Sequence, residues 1–250
     1  MKKIALVSFL LLIAVYMHAQ WSPDNGDGTY KNPIIHADYS DPDVRVGDDY
    51  WMVASSFTCM PGIPLLHSHD LVNWKIVNHI YDRLPLQKYD HPVHGQGSWA
   101  PSIRHHEGMF YVYFCTPHDG LFVARATDPL GKWDLKHIVD VEKWEDPCPF
   151  WDEDGQAYLA HSIHRGGPAI IHKMSWDGLQ LLDNGKVVYH DIEVNPILEG
   201  LKMTKRNGWY YIFAPAGGVA HGWQTVLRSK NIYGPYEPRK VLEAGNGING

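Results

Sequence analysis

The chain has 250 residues, with 22 Lys and Arg against 28 Asp and Glu, for a formal charge of −6. That balance, with no basic run anywhere, gives no electrostatic support to a nucleic-acid or anionic-membrane partner. The 10 Trp and 14 Tyr are set among 17 Pro and 23 Gly, which reads as short aromatic strands separated by turns, an all-β composition rather than a helical one.

Met1 to Ala19 places Lys2 and Lys3 ahead of an apolar run, Ile4 to Tyr16. The run is too short and wrongly flanked for a membrane span and is expected to be a secretory signal, cut after Met17-His18-Ala19. No Cys follows the cut, so no lipid anchor is expected there, and the compartment is secreted or periplasmic. Residues 20–250 are long enough for one large domain with its own core. Cys59, Cys115 and Cys148 each sit in or beside an apolar strand-like segment. Buried free thiols are expected rather than a disulfide, and no CxxC or His/Cys spacing suggests structural zinc.

From residue 34 the chain repeats itself. Asp41-Pro42 is followed by a turn at Gly47-Asp48-Asp49, an apolar strand Tyr50-Trp51-Met52-Val53, and the polar edge His67-Ser68-His69-Asp70-Leu71-Val72-Asn73-Trp74. The segment from Asp82 to Gly97 reads as a long loop between the first two units, of a kind that is often functional in a compact domain. A second unit starts at Trp99-Ala100-Pro101 and a third at Asp146-Pro147, with Asp154-Gly155 as its turn. A fourth starts at Glu199-Gly200, with Asn207-Gly208 as its turn. In the second unit, strands are expected over Ser102 to His105, Met109 to Cys115 and Leu121 to Thr127. The spacing of heads at 41, 99, 146 and 199 is roughly fifty residues, as for propeller blades. Radial stacking buries both faces of each small sheet and brings the first strands, and so the heads, to one central channel.

One Asp-Pro or Glu-Gly is ordinarily a turn starter. Three carboxylates, Asp41, Asp146 and Glu199, at corresponding places in three units point instead to a pocket. Asp38, Asp43, Asp48 and Asp49 read as turn and solvent residues. Trp51, Trp133 and Trp176 read as core, and Trp209-Tyr210-Tyr211 as an alternating strand. His91, His94, His105 and His106 are candidates for the pocket lining or for a metal, but no spacing supports a catalytic metal site.

These motifs together resemble glycoside hydrolase family 43. The resemblance rests on Ala37-Asp38-Tyr39-Ser40-Asp41-Pro42-Asp43-Val44, Gly47-Asp48-Asp49-Tyr50-Trp51, Ser55-Ser56-Phe57, the His67 to Trp74 edge, Trp99-Ala100-Pro101-Ser102-Ile103-Arg104, Glu145-Asp146-Pro147 and Glu199-Gly200. It runs over about residues 30 to 250. It implies an all-β, five-bladed β-propeller, of which this chain carries about four blades, that hydrolyses xylose- or arabinose-containing polysaccharide with inversion. By position, Asp41 corresponds to the general base, Glu199 to the general acid and Asp146 to the group that tunes and orients that acid, while Trp99 and Phe57 correspond to aromatic walls of the sugar pocket. No cofactor is required by the resemblance. Family members can hold a metal ion near the channel axis with a His of the fifth blade, and that His and a substrate-gripping Arg are expected beyond Gly250. Without that blade, residues 20–250 are not expected to form an autonomous, active enzyme.

The chemistry is consistent with the residues themselves. Water attack needs one ionised carboxylate to take a proton and one protonated carboxyl to give one to the leaving oxygen. An ordinary Glu pKa near 4.3 must therefore be raised, which a third negative carboxylate accomplishes. The expected partner is a carbohydrate. β-Xylosidase and α-L-arabinofuranosidase are the leading activities, with the His67-Ser68-His69-Asp70-Leu71 edge favouring the first; endo-arabinanase and a non-catalytic sugar-binding propeller are the alternatives.

Overall fold

The computed structural model describes residues 21–58 and 60–243; the expected signal segment, Cys59 and residues 244–250 lie outside the described residues. Sixteen strands form four antiparallel sheets, each a four-strand meander in chain order. Blade one is β1 (Asp43–Val46), β2 (Tyr50–Val53), β3 (Gly62–Ser68) and β4 (Lys75–Tyr81). Blade two is β5 (Trp99–His106), β6 (Met109–Thr116), β7 (Gly120–Ala126) and β8 (Asp134–Val139). Blade three is β9 (Trp144–Trp151), β10 (Ala157–Ile163), β11 (Ala169–Met174) and β12 (Lys186–Tyr189). Blade four is β13 (Lys202–Arg206), β14 (Trp209–Ala216), β15 (Trp223–Ser229) and β16 (Glu237–Leu242). The first strands adjoin one another, β1 against β5, β5 against β9 and β9 against β13, so they form the inner wall of a propeller.

Turn chemistry sets the hairpins. Glu107-Gly108 and Asn207-Gly208 both take positive φ at the two central positions, the geometry of the type I′ turn that matches strand twist. Asp70 closes the β3–β4 turn by accepting the N–H groups of Val72 and Asn73 at 2.9 and 2.7 Å.

Strand β6 shows how one sequence serves two cores. With a period of two, Phe110, Val112 and Phe114 pack on blade one, while Tyr111, Tyr113 and Cys115 pack on blade three. A strand buried on both faces has no reason to alternate apolar with polar, which is why Met109–Thr116 is an almost unbroken apolar run. Strand β14 buries Tyr210, Ile212 and Ala214 against blade three and leaves Phe213 on its other face exposed. Cys115 and Cys148 are buried free thiols.

Two expectations about buried residues need correction. Trp176 is 38% exposed: it lies in the turn after β11, where its Nε1 donates to Glu107 at 3.2 Å and it packs edge-on to His106. Asp43 is not a solvent residue. Its Oδ2 accepts from the Ile103 N–H at 2.8 Å and from Arg104 Nη1 at 2.6 Å inside the channel wall. Burial opposes the ionised form of Asp43, but Lys202 and Arg104 outweigh it and hold the carboxyl below the usual range. Arg104 Nη2 also donates to Cys148 Sγ at 3.0 Å, joining blades one, two and three. Asp43→Ala leaves that guanidinium buried beside no carboxylate, and we expect a loss of about 3–5 kcal/mol in denaturant unfolding.

The long loop holds a short 3-10 turn at Gln87–Asp90 that buries Tyr89. Its end docks through Gly97, whose N–H donates to Phe57 O at 2.8 Å. A Cβ at Gly97 would sit 2.3 Å from Ser56 O, so no larger residue allows this approach.

Candidate active site

At the head of each blade one residue takes the left-handed conformation: Asp41 (φ 52°), Ala100 (φ 35°), Asp146 (φ 57°) and Gly200 (φ 65°). For a non-glycine residue this costs on the order of 1–3 kcal/mol, and such positions gather at functional sites. The shared backbone kink gives the true register of the repeat. Asp41 and Asp146 occupy the kink itself. Trp99 and Glu199 come one residue earlier, and Glu145 holds that place in blade three. Matching acids to acids had put Glu199 level with Asp41 and Asp146. The backbone aligns Gly200 with them, because a Cβ at Gly200 would meet Pro215 at 2.8 Å.

The two alternating positions bring four carboxyl groups to one cavity of about 650 Å3, lined by Asp41, Glu145, Asp146 and Glu199 with Phe57 and Trp99. All five residues expected from sequence, Asp41, Asp146, Glu199, Trp99 and Phe57, line it. A cleft of about 800 Å3 runs along β4 and β8, but shifted carboxyl groups converge in the smaller cavity, which makes it the candidate site.

Each acid has its own environment. Asp41 is open to solvent, and its Oδ2 accepts from Ser55 Oγ at 2.5 Å. Ser55 Oγ in turn accepts from the Ala100 N–H at 2.8 Å, which fixes Asp41 relative to blade two. Asp146 is buried, and its Oδ2 accepts from the Gly200 N–H at 2.5 Å. Burial raises its pKa, with Asp41 adding to the rise and the Gly200 N–H and Lys202 opposing it. Glu199 is pushed up to about 7 by burial and then by Asp146 and Asp41. Lys202 is tied to blade two through Pro101 O at 3.1 Å and Ser102 Oγ at 2.7 Å.

Sequence reading gave no role to Glu145, which it named only as part of a motif, or to His164, Lys202 and Gln224. All four line the cavity. Glu145 is 4% exposed and is pushed up to about 9 by burial and by Asp146 and Glu199. His164 Nδ1 lies 2.8 Å from Glu145 Oε2, a distance that would suit an ion pair. Yet burial lowers the pKa of His164, with Arg165 and Lys143 adding to it, while that of Glu145 rises. Both shifts oppose charge separation, so we assign a neutral carboxyl donating to a neutral imidazole. The His164 ring also meets Trp99 edge-on at 5.3 Å, and Trp99 meets Phe57 at 5.7 Å. Adjacency to Asp146 was the only signal in the sequence for Glu145. None of His91, His94, His105 and His106 lines the cavity.

Glu145 makes a stability prediction. Its folded pKa lies above its unfolded one, so its stabilising contribution is complete below the unfolded value of 4.5 and is lost as pH rises towards about 9. The slope for one such proton is about 1.4 kcal/mol per pH unit. Thermal melts of Glu145→Gln at pH 5, 7 and 9 are expected to match the wild type at the first and exceed it increasingly at the others. An advantage that does not grow with pH contradicts the assignment of a neutral buried Glu145.

The model of glycosyl hydrolases family 43 matches residues 30–244. A putative beta-xylosidase of Xylanibacter ruminicola is 57% identical over 231 residues, covering 91% of this chain and 43% of that protein. A non-reducing end alpha-L-arabinofuranosidase of Bacteroides ovatus is 33% identical over 235 residues, covering 88% of this chain and 42% of that protein. A solved bifunctional GH43-CE protein of Bacteroides eggerthii superposes with a TM-score of 0.76 at 29% identity, over 90% of this chain and 30% of that one. The chain thus spans less than half the length of these relatives, and its four blades match part of the family's five-bladed propeller. On the family match and the relative 57% identical to it, the chain belongs to glycosyl hydrolases family 43.

Proposed function

We propose that this chain carries the catalytic propeller of an exported, inverting pentosidase acting on xylose- or arabinose-containing cell-wall polysaccharides or oligosaccharides. The observation that carries the reading is the Glu199 carboxyl, held near pKa 7 by burial and by Asp146 and Asp41 in a cavity walled by Trp99 and Phe57. Such a group keeps its proton in a useful fraction of molecules near neutrality, as a general acid must.

In the proposed reaction the sugar ring lies against the aromatic faces, which take its C–H surface. Asp41 accepts a proton from a water molecule as that oxygen bonds to the anomeric carbon. The bond from that carbon to the leaving oxygen breaks, and Glu199 delivers its proton there. Asp146 holds Glu199 in place through the Gly200 N–H and raises its pKa by its charge. Glu145, neutral and backed by His164, offers a polar group to the sugar hydroxyls without adding negative charge.

Among substrates, a β-xyloside comes first, because the relative with 57% identity is named a putative beta-xylosidase; an α-L-arabinofuranoside follows from the 33% relative. The whole protein should hydrolyse nitrophenyl β-xyloside, with the arabinofuranoside as the second substrate. Turnover of neither, with sugar binding retained by tryptophan fluorescence, would replace this reading with a non-catalytic sugar-binding propeller. Export rests on the Lys2, Lys3 and Ile4 to Tyr16 pattern, and N-terminal sequencing of the exported protein is expected to begin at Gln20.

A further inference from the structure

The β2–β3 hairpin places three ligand-type side chains on one face of blade one, away from the cavity. Tyr50 pairs with Ser68 and Trp51 with His67, so Asp49 stands across from His69. With side chains alternating along a strand, His67 and His69 share a face. Asp49 belongs to the turn between β1 and β2, at the opposite end of β1 from Asp41. The four residues of β1 alone span roughly 13 Å at about 3.3 Å each.

Asp49 Oδ1 lies 2.5 Å from His69 Nδ1, and Asp49 Oδ2 lies 3.2 Å from His67 Nε2. The three ligand atoms all fall within 4.8 Å of one another. His67 Nε2 is buried and makes no well-formed hydrogen bond, with Asp49 Oδ2 as its ion-pair neighbour at 3.2 Å. A buried imidazole nitrogen without a well-formed hydrogen bond is costly in an ordinary surface contact. The ring is also held: Trp51 packs on it at 4.5 Å and His69 meets it edge-on at 4.6 Å. The result is a nitrogen fixed in position close to the other two donors.

We propose that Asp49, His67 and His69 form a site for a divalent cation of the zinc class, with the fourth position taken by water. Two imidazoles and a carboxylate are a donor set suited to such an ion. Bonds of about 2.0–2.2 Å at tetrahedral angles place donors roughly 3.4 Å apart. The His67–Asp49 pair already has that spacing, and His69, exposed at the end of β3, moves to it by side-chain rotation. The ion ties the turn after the short strand β1 to the end of β3, so it stabilises blade one and takes no part in hydrolysis. Sequence spacing did not reveal the set because two ligands are two residues apart on a strand and the third crosses the hairpin.

The test is calorimetric titration of the EDTA-dialysed whole protein with zinc chloride, with cobalt(II) absorption as a spectroscopic check. One ion per chain is expected, with a rise in melting temperature and the visible bands of a four-coordinate cobalt site. His69→Ala and Asp49→Asn should each weaken binding by at least about 10-fold, the least that losing an outer-shell partner of a metal ligand typically costs. His69 is largely exposed, so His69→Ala has no core to disturb, and His91→Ala serves as a control that should bind as the wild type does. Undiminished binding in the His69→Ala, Asp49→Asn double variant, or no stoichiometric binding to the wild type, overturns the proposal.

Discussion

Asp41→Asn and Glu199→Gln are each expected to lower kcat of the whole protein by about 10²-fold or more, the size of a lost general base or acid. The two losses should part company when the leaving group changes. An aryl glycoside with a good leaving group needs little protonation, so it should restore much of the rate to Glu199→Gln. It should not help Asp41→Asn, in which the proposed acceptor of the water proton is gone. The assignment follows from environment as well as position. Asp41 is solvent-facing and oriented by Ser55, whereas burial, Asp146 and Asp41 raise Glu199 to about 7, which suits Glu199 to the part of the acid. Equal loss on every leaving group would contradict the roles.

Asp146→Asn is expected to move the alkaline limb of the kcat profile to lower pH. Burial is the largest cause of the Glu199 shift, and Asp146 is the next. Removing that charge leaves burial and Asp41 in place, so the limb should move part of the way towards the ordinary carboxyl value and not all of it. The activity ceiling should fall as well, because the Gly200 N–H loses its charged acceptor. The limb reports the coupled cluster of Glu145, Asp146 and Glu199 rather than one residue. A profile with its alkaline limb unmoved would mean that Asp146 acts only through the backbone of Gly200.

The fold was legible because propeller blades repeat locally. Asp154-Gly155 and Asn207-Gly208 are turn signals that need only their own neighbours, and the apolar run Met109–Thr116 signals burial on both faces. Chain order then does the rest, since each meander pairs only consecutive strands. The register of the heads was less legible. Asp41 and Asp146 share a backbone conformation with Ala100 and Gly200, two residues that carry no functional group, and composition alone cannot align Asp with Gly. That one-residue shift is what reveals Glu145 as the blade-three counterpart of Glu199. Asp43 looked like a turn residue because Arg104, its partner, lies in the next blade. Trp176 looked like core because an indole is usually buried, yet an acceptor on Glu107 and a ring from His106 hold it at the surface. In each case the missing information was a contact between blades, which no local pattern encodes.

The most direct test of the account is the stereochemistry of the first product. Two carboxyl groups that work through an intervening water invert the anomeric carbon, whereas a pair set about 5–5.5 Å apart forms a covalent intermediate and retains it. Proton NMR of a β-xyloside digest, recorded before mutarotation, is expected to show the α-anomer of xylose accumulating first. Initial appearance of the β-anomer would contradict direct displacement by water and, with it, the roles given to Asp41 and Glu199.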